Sequence, residues 1–197
     1  MPKNPLLTAG DQQPSPFDMS MSDDALVTFT GPAGPGALSF ADTGYMPVNG
    51  LTIGGVLQKP EGGSDGLFIH YDSMGVQHFG ADGAPTKADY TGLHYEVMGY
   101  KGHATFGHAA DGTPTVSGAH NLTVLAQGDL IAGYLGFNAD GGITGAVSTS
   151  MQVNGQAVGT LDFSVQHASS DIGHTAAGGL TLDGGTLHAT FLPLAIG

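Results

Sequence analysis

Cysteine and arginine are both missing from this chain, and lysine occurs only four times in 197 residues. Without cysteine there are no disulfides, no thiolate metal sites and no cysteine nucleophile. A core from a chain this long needs no such staples. Four lysines face seventeen Asp and Glu residues, for a net charge of −13. Phosphate binding needs clustered cations, so nucleic acid is excluded as a partner, and anionic bilayers are disfavoured. Phosphoryl transfer and carboxylate recognition are poorly served without arginine. No apolar run of about 18 residues exists, so no transmembrane helix and no membrane insertion are expected. The N-terminus has no basic region followed by an apolar core, so no secretory signal is expected there.

Helix-forming charge is also scarce. Glu, Lys and Arg together number six, whereas glycine reaches 34 and the acids are nearly all Asp. Glycine and Asp favour turns, and Glu, Lys and Arg favour helices, so this is the profile of a β-rich, turn-rich chain. With 40% hydrophobic residues it is not disordered by composition. An acidic, glycine-rich, cysteine-free chain ending in the apolar stretch Phe191–Gly197 suits an extracellular or cell-surface protein exported by a route that reads its C-terminus; a cytoplasmic one is the alternative. Nine histidines are present, and protonating all of them would move the net charge from −13 to −4. The surface field should therefore weaken between about pH 7 and pH 5.

Residues 1–22 read as an extended, flexible arm broken by Pro2, Pro5, Pro14 and Pro16. Residues 23–197 read as a single antiparallel β domain. Ala25–Thr30 is the first clear strand, Asn49-Gly50 a hairpin signal, and Pro60–Gly66 a loop. Asn154-Gly155 is the best two-residue hairpin. It leads into a strand with Leu161, Phe163, Val165 and His167 on one face. Asp183-Gly184-Gly185 reads as the turn of a last hairpin. The spacing gives roughly 10–12 strands with little or no helix, in an antiparallel β-barrel or tightly coiled β-sandwich. Gly133, Gly136, Gly145 and Gly159 inside strands point to strong curvature or close backbone packing.

One stretch repeats. Leu67-Phe68-Ile69-His70-Tyr71-Asp72-Ser73-Met74-Gly75 is echoed by Gly92-Leu93-His94-Tyr95-Glu96-Val97-Met98-Gly99. Each copy runs on to a similar Asp-Gly turn, at Asp82 and at Asp111. On strands, His70 shares a face with Asp72 and Phe68, and His94 with Glu96 and Met98, while Tyr71 and Tyr95 take the opposite face. Paired as neighbours, the copies would place His70 and His94 opposite each other, each beside a carboxylate.

His70, Asp72, His94 and Glu96 are therefore the candidate ligands for a divalent metal. His70, Tyr71, His94, Tyr95, Met74 and Met98 are the candidate contacts for haem or an apolar ligand, since His, Tyr and Met all ligate haem iron. The plainer reading is half-exposed strand histidines beside neighbouring acids. The recurrent Asp-Gly pairs lack the D-x-D-x-D-G spacing of a calcium loop and read as turns. No G-x-S-x-G elbow or distinguished carboxylate pair appears, so catalysis is not expected. Two functions follow. One is a structural or assembly subunit, such as a surface-layer, filament, adhesin or virion component, and a homo-oligomer or part of a larger assembly. The other is a secreted barrel that takes haem, a metal or an apolar ligand near the repeat.

Overall fold

The computed structural model describes Leu6 and residues 14–58 and 65–194. Most of the expected arm (1–5 and 7–13), residues 59–64 of the expected loop and residues 195–197 of the apolar tail lie outside the described residues. Twelve strands follow one another: β1 (Phe17–Gly34), β2 (Ala37–Ile53), β3 (Val56–Gln58), β4 (Asp65–Phe79), β5 (Pro85–Lys101), β6 (Thr105–His108), β7 (Pro114–Ser117), β8 (His120–Phe137), β9 (Ile143–Val153), β10 (Gln156–His167), β11 (Ile172–His174) and β12 (Leu180–Pro193). No α-helix occurs among the described residues; a single 3₁₀ turn spans Ser169–Asp171.

Eight strands close into an antiparallel barrel in the order β1, β2, β4, β5, β8, β9, β10, β12, with β12 returning to pair with β1. Small barrels of this strand number have interiors just wide enough for side chains to fill. That is the arrangement here. Phe17, Met19, Ile69, Tyr95, Val97, Met151, Leu161 and Phe191 point inward and are almost wholly buried. Each such side chain contributes about 1.5–3 kcal/mol by leaving water. Phe17 and Phe191 stack at 4.9 Å across the closing seam of β1 and β12.

The outer wall is polar over β9 and β10. β9 turns Thr144, Ala146, Ser148, Ser150 and Gln152 outward, and β10 turns Thr160, Asp162, Ser164 and Gln166 outward. A barrel that spans a membrane has the reverse polarity, with an apolar band outside.

The repeat explains how the wall is drawn together. Its two copies lie on β4 and β5, paired so that Tyr71 faces Tyr95 at the centre of the ladder. The two rings diverge inside the barrel. Tyr71 crosses its cross-strand neighbour Gly44 on β2 and reaches Asp23 on β1. Tyr95 crosses its neighbour Gly128 on β8 and donates to the carbonyl of Ser150 on β9 at 3.0 Å. A Cβ at Gly44 would sit 2.8 Å from the Tyr71 ring, and one at Gly128 would sit 2.7 Å from the Tyr95 ring and collide with the Ser150 carbonyl. An aromatic laid over a strand glycine packs backbone against ring and permits tight curvature.

A second device recurs at the turns. Residues 80–84, 109–113, 138–142 and 175–179 share one hydrogen-bond pattern, in which the first N–H bonds the fifth carbonyl and the fourth N–H the first carbonyl. The fourth residue is always glycine with positive φ, between 80° and 89° at Gly83, Gly112, Gly141 and Gly178. Asp82, Asp111 and Asp140 each accept the backbone N–H two residues on, at 3.0 Å. These carboxylates are turn formers.

Three sequence expectations need correction. The domain boundary at residue 23 lies inside β1, which opens at Phe17, and Leu6 is buried in the barrel's own core. The alternation Phe17, Met19, Met21 marks the inward face, and the nearby prolines mask it. Asn49-Gly50 lies within β2; the turn follows at Gly54-Gly55, both at positive φ. Asp183-Gly184-Gly185 lies within the continuous β12, where the register with β1 shifts between Met21 and Asp23. That irregularity absorbs the glycines as a bulge. Asn154-Gly155 does form the β9–β10 turn, with φ of 53° and 77°.

Candidate functional site

The ladder of β4 and β5 arranges the sequence candidates on two faces. Outside, His70 lies opposite Glu96, and Asp72 opposite His94, so each imidazole faces the other copy's acid and not the other imidazole. This follows from antiparallel pairing centred on the tyrosines. The four side chains occupy one patch but engage different neighbours. His94 Nδ1 meets Asp129 Oδ1 on β8 at 2.9 Å, and His70 packs against the Tyr45 ring at 5.1 Å. Among the described residues, no three His, Asp or Glu side chains are placed to hold a metal ion. Met74 is 58% exposed beside the bare Gly92, while Tyr71 and Tyr95 are buried in the lumen. The candidate haem contacts are therefore divided between the outer face and the interior.

The β6–β7 hairpin folds back along the outer wall. Phe106 packs on Tyr45 and Phe68, with centroids 6.4 Å and 5.5 Å away, and His108 Nε2 lies 3.1 Å from the Ala25 carbonyl. The hairpin turn meets the loop before β12, where a Cβ at Gly112 would touch Thr175, Thr181 and Leu26. The open groove between them is bordered by His108, Asp111, His174 and Asp183.

Inside the barrel lies a polar cluster that the sequence did not single out. Asp23 from β1, Asp42 from β2, Tyr71 and Ser73 from β4, and His167 from β10 are all buried. The Tyr71 hydroxyl lies 3.2 Å and 3.3 Å from the Asp23 oxygens and 3.4 Å from Asp42 Oδ1, and Ser73 donates to Asp42 Oδ2 at 3.4 Å. His167 Nε2 approaches Asp23 Oδ2 at 3.5 Å. Burial raises the Asp23 carboxyl above its usual range, opposed by His167, Tyr71 and His108. Burial raises Asp42 further, reinforced by the charges of Asp23 and Asp72 and opposed by Ser73 and Tyr71. The visible signal was a polar residue on an apolar face: His167 continues the Leu161, Phe163, Val165 face, and Asp42 lies between Phe40 and Met46 on β2.

The lumen beside this cluster has a cavity of about 30 Å³. That volume admits about two water-sized molecules and excludes haem or any drug-sized ligand.

No family model and no curated protein matches this chain. A weak structural likeness exists to Ail, the attachment invasion locus protein of Yersinia pestis. It has a TM-score of 0.18 and 9% identity, over 90% of this chain and 97% of that one. At that TM-score the likeness supports no conclusion about this chain.

One end of the barrel differs from the rest of the surface. β1, β4, β8 and β10 begin there, and β2, β5, β9 and β12 end there. Of the nine exposed large apolar side chains among the described residues, six belong to this rim: Val56, Leu57, Leu122, Val124, Leu192 and Leu194.

Proposed function

We propose that this chain is a non-catalytic, water-facing barrel that serves as a subunit of an extracellular or cell-surface assembly and docks through its apolar rim. The rim is the observation that supports this reading. Apolar residues scattered singly over a surface are ordinary, whereas their concentration at one end of a mainly polar barrel marks an interaction site. The filled lumen favours the same view, because it leaves no room for the cargo that larger barrel cavities hold. The polar wall supports a barrel that stands in water and does not insert in lipid. At a net charge of −13, copies repel one another at long range, so docking has to rely on the apolar side chains of this rim. Replacing Leu57 and Leu122 together by Asp is expected to weaken self-association at least tenfold in a sedimentation concentration series. Unchanged association in the double variant would sink the rim as the docking surface.

A second reading, a carrier of haem, a metal or an apolar ligand, finds its support on the outer ladder. There His70, Asp72, His94 and Glu96 lie in one patch, with the exposed Met74 close by. Titrating haem and zinc into the protein and into the His70→Ala/His94→Ala variant decides it. The reading requires binding that the variant loses; identical titrations dispose of it.

A further inference from the structure

The buried cluster poses a problem of charge and of hydrogen bonding. Both ring nitrogens of His167 are buried with no hydrogen-bond partner, and its side chain is only 1% exposed. The 3.5 Å approach to Asp23 is longer than the 2.7–2.9 Å expected of a charge-assisted bond. The Tyr71 hydroxyl has one proton for two carboxylates, and Ser73 supplies one more to Asp42. Asp23, Asp42, Tyr71 and His167 line a cavity walled mainly by apolar side chains such as Leu135, Val147 and Phe163. Isolated charge in such surroundings is costly, and a buried polar atom without a partner is costly too.

We propose that the lumen is a proton- and water-binding site, in which Asp23, Asp42 and His167 together hold two protons at neutral pH and ordered water completes their hydrogen bonds. Electroneutrality sets the number. With two protons the trio is neutral, and because His167 lies against Asp23, any carboxylate left ionised is Asp23, which leaves two forms. In one, a protonated Asp42 lies beside an Asp23⁻/His167⁺ pair; in the other, both carboxyls are protonated and the imidazole is neutral. With fewer protons the lumen carries net negative charge; with three it carries net positive charge. The raised carboxyl affinities at Asp23 and Asp42 agree with this count. The 30 Å³ cavity has room for about two waters, each able to donate to a carboxylate and to bond the free imidazole nitrogens.

The neighbours that face the site are few. Tyr90 and Tyr95 from β5 line the same cavity as neutral phenols. His108, from the folded-back hairpin, acts on Asp23 and Asp24; Asp72 acts on Asp42, and Asp183 on Asp24. No cation of the protein reaches the lumen from β2, β4 or β12 among the described residues.

The consequence is proton uptake on folding. Between pH 7 and 8.5 the unfolded chain leaves both carboxyls ionised and the imidazole mostly neutral. The folded barrel then holds about two more protons, so stability falls as pH rises, in contrast to ordinary acid denaturation. Two protons correspond to about a 100-fold fall in the folding equilibrium constant per pH unit. The test is urea unfolding from pH 7 to 8.5 in about 1 M NaCl, where surface charges are screened over roughly 3 Å and the lumen is not. The expected slope is about 100-fold per pH unit for the natural protein and about tenfold for Asp42→Asn, which builds one of the two protons into the side chain. A natural slope of tenfold or less, or one that Asp42→Asn leaves unchanged, overturns the proposal. Should Asp42→Asn fail to fold, carbon NMR of the natural protein's Asp carboxyls gives the answer: a protonated Asp42 at pH 7 is required, and an ionised one refutes the site.

Discussion

Gly128→Ala is expected to lower the free energy of unfolding by about 3 kcal/mol, at or beyond the usual upper end for overpacking a filled interior. The added methyl has nowhere to go. It would strike the Ser150 carbonyl on β9 and lie 2.7 Å from the Tyr95 ring, whose hydroxyl is held by that same carbonyl. Relief would require β8 and β9 to separate or Tyr95 to leave the lumen, where it also packs edge-on to Phe163 at 5.8 Å. Gly136 on the same strand supplies the control, since a Cβ there meets nothing closer than the Thr144 carbonyl at 3.7 Å. Gly136→Ala should change stability by less than about 1 kcal/mol, with restricted freedom of the unfolded chain acting in its favour. Urea denaturation of the two variants makes the comparison. Equal costs at both sites would mean that the aromatic-over-glycine packing does not hold the wall.

Tyr71→Phe should be the more damaging of the two phenol deletions, at about 1.5–3 kcal/mol, against about 1 kcal/mol for Tyr95→Phe. The two tyrosines are equivalent by sequence and by position on the ladder, but their partners differ. Tyr95 donates to one backbone carbonyl, whereas Tyr71 stands between the buried carboxylates of Asp23 and Asp42. Removing its hydroxyl takes the Tyr71 donor from Asp23 and leaves Asp42 with Ser73 alone. Burial and these carboxylates also hold the Tyr71 phenol well above its usual titration range, so it remains a donor at neutral pH. If both variants lose the same stability, the lumen carboxyls do not depend on Tyr71.

The repeat shows what sequence could and could not reveal. Alternation placed His70 and His94 on one face and Tyr71 and Tyr95 on the other, and the ladder has that arrangement. Fold class was legible because Asp-Gly turns, alternating apolar residues and scarce helix formers all agreed. Long strands were not legible as units. β1, β2 and β12 run through Gly31, Gly44, Gly50, Gly184 and Gly185, and local propensity reads each as a break. Those glycines are accommodated by non-local contacts, as where Gly44 lies under Tyr71 and Gly50 faces Ser20. The lumen cluster was hidden for a related reason. Asp23, Asp42 and His167 come from three separate strands, and only barrel closure brings them together. The rim was equally hidden, because Leu57, Leu122 and Leu192 are far apart in sequence and come to the same end only when the sheet closes.

Sedimentation velocity of the unaltered protein, from about 1 µM to about 100 µM at physiological ionic strength, tests the assembly account most directly. The account predicts a mass that rises with concentration above the 19.8 kDa of one chain, and more steeply at pH 6 than at pH 8 as the histidines reduce the net charge. A single 19.8 kDa species throughout that range at both pH values would contradict it.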